Sequence, residues 1–532
     1  MTSVLERLIA DRPGEPGIAA AILRSGEVVE RRCVGLADLA HRVAIGPETR
    51  FHIVSASKTF VAASVLALAA RGQISVDDPA RRHLPELPET IDRPRPVTLR
   101  HLLSMTSGLR DVLEIARLRG EWKPSPSRVR DLLDLAFAQT ETSAPAGAQY
   151  MYANVNFVLL EEILRRLAGD ADALRRDAIY RPLGLAGTAD RPHEGIVLAN
   201  LAQPYVADGK DGWTRATDLL GISGDTLTTS LDDMARWVAA FGRGQVGDLD
   251  LRPMAEPARL ADGRAIHYGL GLCIRPYRGL TVLGHTGSQP GYKTHIAYVP
   301  ALNVGVVVLS NREDTRASAL AVEILDAVAG GFPSPHPAKT SRKAPHRAES
   351  LPGVYVEPET GEWMQVTLGA DGVLTCETLG DSLWLYEEAP GIFRHGDDYR
   401  CDTPADAVFS HDGCRLHRGG HVNAMVKQKP VIYTPAQLAA FAGDYASAAI
   451  ASHHEVRLAG GGLSIRYGLG FDRDRVFAMQ PVAPDIFLVR PTAPGVAHRH
   501  VFRFERDGAG AVTGMQVTLD RLKGVRLERV AA

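Results

Sequence analysis

Short apolar runs and longer helix-like segments alternate along the first part of the chain. Two short strand-like runs, 17–23 and 27–35, are joined at Ser25-Gly26 and predict a β-hairpin. The run 58–72 is apolar on every side and ends in a glycine, so we expect a helix buried in the middle of its domain. Three helices, three strands and a last helix are predicted to follow, in that order, at 97–105, 154–169, 230–242, 279–287, 293–300, 303–311 and 316–331.

The order of these elements predicts the architecture of the N-terminal domain, which we place at residues 1–331. Strands lie at both ends of the region and helices lie between them. That arrangement is typical of a mostly antiparallel sheet, closed by its first and last segments and covered by helices. We therefore expect the α+β class for this domain.

The pattern changes after residue 331. Residues 332–349 are rich in Pro, Ser and basic residues without periodicity, which predicts a linker. Short alternating runs separated by Gly and Asp turns follow, and they predict strands. Leu351-Pro-Gly-Val-Tyr355 and Phe441-Ala-Gly-Asp-Tyr445 open two similar stretches, so we expect two small antiparallel β-barrel domains, 350–430 and 434–532. Because G-x-Y is a common way to enter a strand, the repeat alone leaves their relationship open.

Composition and charge exclude several classes of function. The 532 residues carry 60 Lys+Arg against 62 Asp+Glu, so the chain lacks the positive charge that drives binding to nucleic acid or an anionic membrane. The longest apolar stretch, 60–70, is too short to span a bilayer. Five cysteines without a C-x-x-C pair fit neither a disulfide framework nor a zinc site, so we expect a reducing, cytoplasmic location and no metal.

A candidate nucleophile lies where a loop enters the predicted buried helix. Ser55-Ala-Ser-Lys58 is the only S-x-x-K in the chain. Residues at i and i+3 share a helix face, so Lys58 can reach the Ser55 hydroxyl. A desolvated lysine can act as a base on that hydroxyl, and the helix N-terminus favours the developing negative charge. The alternative interpretation is a helix-capping serine followed by a solvated lysine.

A second candidate motif, Tyr152-Ala-Asn154, directly precedes an apolar helix. A phenol near Lys58 could relay a proton to the leaving group, and the Asn154 amide could bind a substrate carbonyl and orient the lysine. The alternative is a core aromatic residue followed by a simple N-cap asparagine.

The third candidate motif is His285-Thr286-Gly287, on a predicted strand that ends in glycine beside small polar residues. Such a strand end allows a ligand to approach the backbone closely. H-x-G also occurs at His411 and His417, so the tripeptide alone is nonspecific. What distinguishes His285 is its position after the other two motifs and before a pair of predicted strands.

In this order, S-x-x-K, Y-x-N and H-x-G, the chain resembles the penicillin-recognising serine hydrolases related to class C β-lactamases and D,D-peptidases. The stretches 72–79, 97–111 and 228–237 are also similar to that family. The resemblance covers about the first 330 residues. It implies a β-lactamase/transpeptidase-like catalytic domain with α/β/α layers.

The resemblance also implies roles for the motif residues. Ser55 would form the acyl-enzyme, and Lys58 and Tyr152 would share proton transfer. Asn154 would contact the substrate or Lys58. His285 would replace the lysine that many relatives carry in their third motif.

For substrate binding, the resemblance implies an oxyanion hole made of the backbone N–H groups of Ser55 and Ser288. Such donors stabilise the transition state by roughly 3 kcal/mol each. Thr286 and Gly287 lie between His285 and Ser288 and are expected to contact the substrate from the same strand.

The two predicted barrels and the C-terminal stretch 512–530 make the chain similar to the bacterial D-aminopeptidases, over nearly its whole length. In those enzymes the last barrel sends a hairpin loop into the active site. The candidate loop joins two strand-like runs, and a plain surface turn is the alternative. Its residues are Arg490, Pro491, Thr492, Ala493, Pro494, Gly495, Val496, Ala497, His498, Arg499 and His500.

Two departures from the family leave the substrate open. The segment 490–500 holds no carboxylate that could pair with a substrate α-ammonium group, and Thr226 stands where the family usually has glycine. The leading hypothesis is a serine-type D-aminopeptidase that needs no cofactor. The alternatives are an esterase, D-amino-acid amidase or weak β-lactamase, and a non-catalytic β-lactam-binding sensor.

The expected partners follow from the leading hypothesis. The substrate is a small peptide, amide or ester with an N-terminal D-residue, and β-lactams are candidate inhibitors. Nucleic acid and membrane are not expected as partners. The resemblance is compatible with a homodimer.

Overall fold

The structure is a computed structural model. It describes residues 3–120, 129–193, 195–210, 212–216, 226–333, 346, 348–370, 372–380, 382–395, 406–418, 421–467, 476–491 and 499–530. Most of the predicted linker 332–349 and the residues 492–498 of the predicted loop lie outside these ranges.

Helices dominate the N-terminal region, and one more follows later in the chain. They are α1 (Val4–Leu8), α2 (Lys58–Ala70), α3 (Ala80–His83), α4 (Leu99–Leu103), α5 (Val112–Leu118), α6 (Val129–Phe137), α7 (Val155–Ala168), α8 (Ala171–Arg175), α9 (Arg181–Leu183), α10 (Leu231–Arg243), α11 (Ala317–Val328) and α12 (Pro435–Ala439). A 3₁₀ turn, Val54–Ser57, leads directly into α2.

The strands of the N-terminal region form one large sheet and several short ribbons. They are β1 (Ile18–Arg24), β2 (Glu27–Val34), β3 (Leu36–Asp38), β4 (Val43–Ala44), β5 (Arg50–His52), β6 (Ala189–Asp190), β7 (Tyr205–Ala207), β8 (Trp213–Arg215), β9 (Leu227–Ser230), β10 (Gln245–Val246), β11 (Leu249–Asp250), β12 (Cys273–Tyr277), β13 (Leu280–Gln289), β14 (Tyr292–Val299) and β15 (Val304–Ser310).

The large sheet has six strands in the order β12-β13-β14-β15-β1-β2, and every neighbouring pair is antiparallel. The first strand of the chain, β1, pairs with the last strand of the region, β15, with Ile18 opposite Ser310. The predicted closure of the sheet by its first and last segments is confirmed.

Helices cover both faces of this sheet. Alternate residues of β1 point to opposite faces, as in any strand. Ala19 and Ala21 belong to the core that contains α2, α7 and α10, whereas Ile18 and Ala20 belong to the core that contains α1 and α11. Burial on both faces explains why β1 is apolar from Ile18 to Leu23, and it confirms the α/β/α layers.

Helix α2 lies inside the larger of these two cores. Its residues from Lys58 to Leu68 are all buried. Gly72, just after the helix, has a φ of +68°, a conformation in which glycine has no steric penalty. The predicted central helix is therefore confirmed.

The rest of the chain forms two closed antiparallel barrels. The first barrel consists of β16 (Gly353–Val356), β17 (Trp363–Leu368), β18 (Leu374–Thr378), β19 (Ser382–Ala389), β20 (Ile392–His395), β21 (Asp406–Phe409), β22 (Gly413–Arg418) and β23 (His421–Lys427). The second barrel consists of β24 (Gly443–Ser447), β25 (Ser452–Ala459), β26 (Gly462–Tyr467), β27 (Val476–Ala483), β28 (Ile486–Val489), β29 (His500–Arg506), β30 (Val512–Leu519) and β31 (Leu522–Arg529).

The G-x-Y repeat has the same structural role in both barrels. The Tyr355 hydroxyl donates to the Leu351 carbonyl at 2.7 Å, and the Tyr445 hydroxyl donates to the Phe441 carbonyl at 2.7 Å. In each barrel the strand with this tyrosine pairs with the next strand and with the last one, which closes the barrel. The two barrels share one topology.

Both barrels contact neighbouring parts of the chain through apolar surface. Ile115 and Leu118 of α5 belong to the hydrophobic core of the second barrel. A smaller core combines Trp363 of the first barrel with Leu488 and Val501 of the second. The first contact attaches the second barrel to the N-terminal region, and the second contact attaches the two barrels to each other.

No helix in the described part of the chain is long and apolar enough to cross a membrane.

Candidate active site

Ser55 lies in the 3₁₀ turn that precedes α2, with a partly exposed side chain. The residue before it, Val54, has a φ of +50°, a left-handed conformation that is unfavourable for a β-branched residue. The Ser57 hydroxyl donates to the Val54 carbonyl within the turn. Strained residues of this kind cluster at functional sites, where the surrounding structure holds them in place.

Lys58 is the first residue of α2 and lies one turn after Ser55. Its Nζ is 3.0 Å from Ser55 Oγ and 3.1 Å from Asn154 Oδ1, and the side chain is fully buried. The contact that the i, i+3 spacing predicted is present. The alternative of a solvated lysine is wrong, because no part of Lys58 reaches solvent.

Tyr152 and Asn154 lie just before α7 and both reach Lys58. The Lys58 Nζ is 5.3 Å from the centroid of the Tyr152 ring. Asn154 occupies the N-cap position of α7, but its side chain makes no capping hydrogen bond. The amide instead accepts from Lys58, so the interpretation of Asn154 as a simple N-cap is wrong.

Asp111 is a site residue that the sequence analysis missed. It caps α5 by accepting from the Leu113 N–H at 2.8 Å. Its Oδ2 accepts from the Asn154 backbone N–H at 2.8 Å and from Asn154 Nδ2 at 3.3 Å. Aspartate directly before an apolar run is a capping signal, and that signal could have found it.

Burial raises the pKa of Asp111, because a carboxylate is poorly solvated in the protein interior. The Arg521 charge and the backbone N–H groups of Asn154 and Leu113 act in the opposite direction, and the nearby Glu114 adds to the increase. The hydrogen bonds from Asn154 and Leu113 are all donated to Asp111, which is the pattern that an ionised carboxylate accepts.

The strand β13 passes the nucleophile turn at its glycine. A Cβ atom at Gly287 would lie 2.1 Å from the Ile53 carbonyl oxygen and 3.3 Å from the Ser55 backbone nitrogen. Only glycine lets the backbones approach so closely. Steric crowding therefore explains why the third position of the H-x-G motif is glycine. The structure brings this motif next to Ser55.

His285 is fully buried behind Tyr152, with 6.2 Å between the two ring centroids. Its Nδ1 is 2.8 Å from the Thr286 carbonyl oxygen and its Nε2 is 3.1 Å from the Tyr268 hydroxyl. Because a carbonyl only accepts, the proton assigned from these hydrogen bonds lies on Nδ1. His285 is thus held between two polar groups and packs against the phenol ring.

Thr286 contacts a second histidine, which the sequence analysis did not single out. Its Oγ1 is 2.9 Å from His295 Nδ1 across the β13–β14 pair. Burial lowers the pKa of His295 to about 3, and the charges of Arg275 and His285 act in the same direction. His295 is therefore neutral at physiological pH, and its Nδ1 shares a hydrogen bond with the Thr286 hydroxyl.

Ser288 is exposed at the end of the same strand. Lys293 Nζ donates to Ser288 Oγ at 2.9 Å and forms an ion pair with Glu313 at 2.9 Å. Thr226, the predicted departure near the site, is buried, and its carbonyl accepts from the Arg191 backbone N–H at 3.0 Å.

The described ends of the predicted specificity loop contact the first barrel. Arg490 and Arg499 form ion pairs with the same carboxylate, Glu377 of β18, at 3.0 and 2.6 Å. The Tyr467 hydroxyl is 2.8 Å from His500 Nδ1 inside the second barrel. The middle of the loop lies outside the described residues, so its entry into the active site stays a prediction.

A different hairpin of the second barrel reaches the site. Arg521, in the turn between β30 and β31, places its guanidinium carbon 4.8 Å from the centroid of the Tyr152 ring. Its carbonyl oxygen accepts from the Asp111 backbone N–H at 3.0 Å. The sequence signal was a two-residue turn, Asp520-Arg521, between two alternating strands, which predicts a hairpin but not what the hairpin contacts.

Among the described residues, no group of three or more His, Cys, Asp or Glu side chains is arranged to hold a metal ion.

The sequence is similar to a known protein family and to curated proteins. The sequence model of the family described as Beta-lactamase matches residues 5–330. A D-aminopeptidase of Brucella melitensis biotype 2 is 27% identical over 531 residues, which cover 97% of this chain and 96% of that protein. A D-aminopeptidase of Cereibacter sphaeroides is 28% identical over 517 residues, covering 94% and 93%.

Among solved structures, the octameric penicillin-binding protein homologue from Pyrococcus abyssi matches with a TM-score of 0.55. It is 22% identical in sequence, and the match covers 78% of this chain and 96% of that one. This likeness shows a common fold. Since the family match spans more than half of the sequence and includes all three motifs, the chain belongs to the beta-lactamase family of serine hydrolases.

Proposed function

We propose that this chain is a D-stereospecific aminopeptidase that forms an acyl-enzyme at Ser55. The observation that carries the proposal is the buried Lys58 Nζ, 3.0 Å from Ser55 Oγ. A base at hydrogen-bond distance from a serine hydroxyl is the basic requirement for nucleophilic catalysis. The D-aminopeptidase relatives, similar over almost the whole chain, support the choice of reaction.

In the proposed acylation step, the Ser55 oxygen attacks the substrate carbonyl carbon and its proton passes to Lys58. Complete burial disfavours the charged ammonium and so favours the neutral amine that can take this proton. The new oxyanion is stabilised by the backbone N–H groups of Ser55 and Ser288. The bond to the leaving group then breaks as Tyr152 passes its proton to the departing amine or alcohol, and the proton held by Lys58 replaces it on Tyr152.

Deacylation reverses these roles with water as the nucleophile. The water attacks the acyl carbon and gives its proton to the Lys58–Tyr152 pair. The bond between the carbonyl carbon and Ser55 Oγ breaks, and Ser55 regains a proton as the acid leaves. No cofactor is required in either step.

The proposed substrate class is a short peptide, amide or ester with an N-terminal D-residue. The two barrels support a small substrate, because the turn of the second barrel lies against Tyr152 and restricts the space beside the nucleophile. β-Lactams are proposed inhibitors, since their strained amide can acylate the same serine.

The test is a Ser55→Ala variant assayed on the p-nitroanilides of D- and L-alanine. We expect at least about a thousandfold loss of kcat/KM, because the nucleophile is removed and only binding and the oxyanion donors remain. Ser64→Ala is the matched control: Ser64 is buried in the same helix, and its hydroxyl donates only to the Phe60 carbonyl, at 2.8 Å. Activity that persists in S55A, or a preference for the L-anilide, contradicts the proposal.

An esterase or amidase that does not read the substrate amine is the second candidate. The observation that favours it is the Arg521 guanidinium at the Tyr152 ring, combined with a loop segment 490–500 that holds no carboxylate to bind an ammonium group. Acetylation of the substrate amine separates the two in the same assay. An aminopeptidase loses activity on the acetylated compound, whereas the second candidate retains it. A lasting β-lactam adduct at Ser55, with neither substrate hydrolysed, would instead indicate a sensor.

A further inference from the structure

The turn between β30 and β31 contacts the catalytic machinery through its backbone. Leu519 and Leu522 form the last pair of the hairpin, and Arg521 lies in the turn between them. The Arg521 carbonyl accepts from the Asp111 backbone N–H at 3.0 Å. Two residues later, the Lys523 backbone N–H donates to Ser143 Oγ at 3.0 Å. The turn is therefore attached to the N-terminal region at Arg521 itself and at Lys523.

The Arg521 side chain lies against the proposed proton-transfer group. Its guanidinium carbon is 4.8 Å from the centroid of the Tyr152 ring, and Lys58 Nζ is 5.3 Å from the same centroid. A cation within about 6 Å of an aromatic ring is attracted to its π-electrons. The Arg521 guanidinium and the Lys58 amine thus both lie against one phenol ring, and the guanidinium comes from the second barrel.

Arg521 also provides positive charge near the buried Asp111. Asp111 accepts hydrogen bonds from the backbone N–H and from the side-chain NH₂ of Asn154. The side-chain oxygen of Asn154 in turn accepts a hydrogen bond from Lys58. The Asp111 carboxylate is fully buried, and burial alone would favour the neutral acid. The opposite charge of Arg521 compensates for part of that cost.

We propose that Arg521 of the second barrel is a positioning residue of the active site, which holds the Tyr152 ring and keeps the Asp111–Asn154–Lys58 chain ordered. It acts through these residues and not on the reacting atoms. The inference rests on the proposed acyl-enzyme at Ser55, because it concerns the groups that activate that serine.

The first barrel fixes the same turn from the other side. Lys523 Nζ forms an ion pair with Glu362 Oε2 at 2.9 Å, and both side chains are more than nine-tenths buried. The Thr518 hydroxyl donates to the Thr360 carbonyl at 2.6 Å. Asp520 packs on Gly380, where a Cβ atom would lie 2.6 Å from its carboxyl carbon. These contacts make the turn a rigid support for Arg521.

The charge of Arg521 has a consequence for pH dependence. Burial raises the pKa of Asp111, Glu114 on α5 acts in the same direction, and Arg521 lowers it. Lys58 on α2 faces the same carboxylate through the Asn154 amide. Loss of the Arg521 charge therefore raises the pKa of Asp111 further, so the acid limb of kcat/KM moves to higher pH.

The variants Arg521→Met and Arg521→Lys test the two parts of this role. For R521M we expect kcat to fall by about ten- to a hundredfold, because a reacting group misplaced by about 1 Å costs roughly this much. We also expect a smaller change in KM and an acid limb at higher pH. R521K keeps the charge but not the planar guanidinium, so the acid limb stays at the parent position while kcat is only partly restored. Arg526→Met is the matched control, because Arg526 lies on β31 and its side chain is 62% exposed.

Labelling of Ser55 by a fluorophosphonate, followed by intact mass, accompanies the kinetics. A parent enzyme that is not labelled at Ser55 overturns both the proposed function and this inference. If the parent is labelled and R521M has the same labelling rate, kcat and pH profile as the parent, the inference about Arg521 is overturned but the proposed function is not. If circular dichroism shows that R521M is unfolded, the R521K variant provides the test. An R521K enzyme with the kcat of the parent, or with its acid limb moved to higher pH, contradicts the role of Arg521.

Discussion

Lys58 lies between the proposed nucleophile, Ser55, three residues away in the sequence, and the Asn154 amide, 96 residues away. The first contact follows from helix geometry, because positions i and i+3 share a face. The second depends on how α7 packs against α2. At the scale of single residues, the site therefore combines one local contact with several that only packing creates.

Gly287 provides a test at the residue scale. In Gly287→Ala the new methyl group would lie 2.1 Å from the Ile53 carbonyl, so β13 must move away from the Ser55 turn. We expect kcat/KM to fall about a hundredfold through misplacement of the oxyanion donors, and stability to fall by about 1–3 kcal/mol from the steric clash. Anilide hydrolysis and urea unfolding measure the two effects.

Gly46→Ala is the control for this prediction, since no heavy atom lies within 4 Å of a Cβ atom built at Gly46. Its activity and its unfolding midpoint should match those of the parent. A G287A enzyme with parent activity would show that the close approach of β13 is not required for catalysis.

At the scale of elements, the two barrels repeat one closure. Each opens with a strand whose tyrosine donates to a carbonyl four residues earlier, and each has a bulge at the same place, between its fourth and fifth strands. The G-x-Y repeat in the sequence is short, but in both barrels its tyrosine makes the same hydrogen bond. The hydrogen bond shared by the two barrels explains why tyrosine occupies this position, because phenylalanine lacks the hydroxyl that donates it.

Removal of this hydroxyl should destabilise each barrel. In Tyr445→Phe and Tyr355→Phe a buried carbonyl loses its donor, and we expect a loss of about 1–3 kcal/mol in the free energy of unfolding. Urea unfolding measures the loss, and activity under native conditions should change little because neither tyrosine reaches Ser55. Unfolding curves that coincide with the parent for both variants would contradict the assigned role.

At the scale of the whole molecule, the three parts of the chain meet at one turn. The turn between β30 and β31 contacts Tyr152 and Asp111 through Arg521, and the first barrel through Lys523 and Glu362. The second barrel is therefore part of the structure around the candidate site, and the first barrel contacts that site through this turn. This arrangement assigns the first barrel a supporting role that its sequence did not indicate.

The buried Lys523–Glu362 pair tests this connection. Either Lys523→Met or Glu362→Leu leaves one charge buried without its partner, and we expect each to cost about 3–5 kcal/mol. The double variant should be less destabilised than the sum of the two, because no unpaired charge remains. Chemical denaturation of the parent, the two single variants and the double variant gives the coupling free energy between the two side chains. The kcat of each variant shows whether loss of the pair displaces Arg521. Additive losses in stability would contradict a direct interaction between the two side chains.

Much of the fold and part of the site could be predicted from the sequence. The apolar run of α2, the strands β1 and β13 to β15 and the alternation in the barrels followed from periodicity, which backbone geometry imposes. Ser55, Lys58, Tyr152, Asn154 and the 285–288 strand were found from motif and order. Asp111 and Arg521 were missed, because a capping aspartate and a hairpin arginine occur in most proteins and their sequence context does not mark a site.

The sequence by itself determined the elements, their order and the contact between Ser55 and Lys58, since these depend on neighbours within one or two turns. Only the tertiary structure decided that Asp111 orients Asn154, that Gly287 brings β13 to the nucleophile, and that the second barrel offers Arg521 to Tyr152. The physical reason is that such contacts join segments up to hundreds of residues apart. They form only where apolar faces such as Ile115 and Leu118 pack into the second barrel and bring the polar groups beside them together.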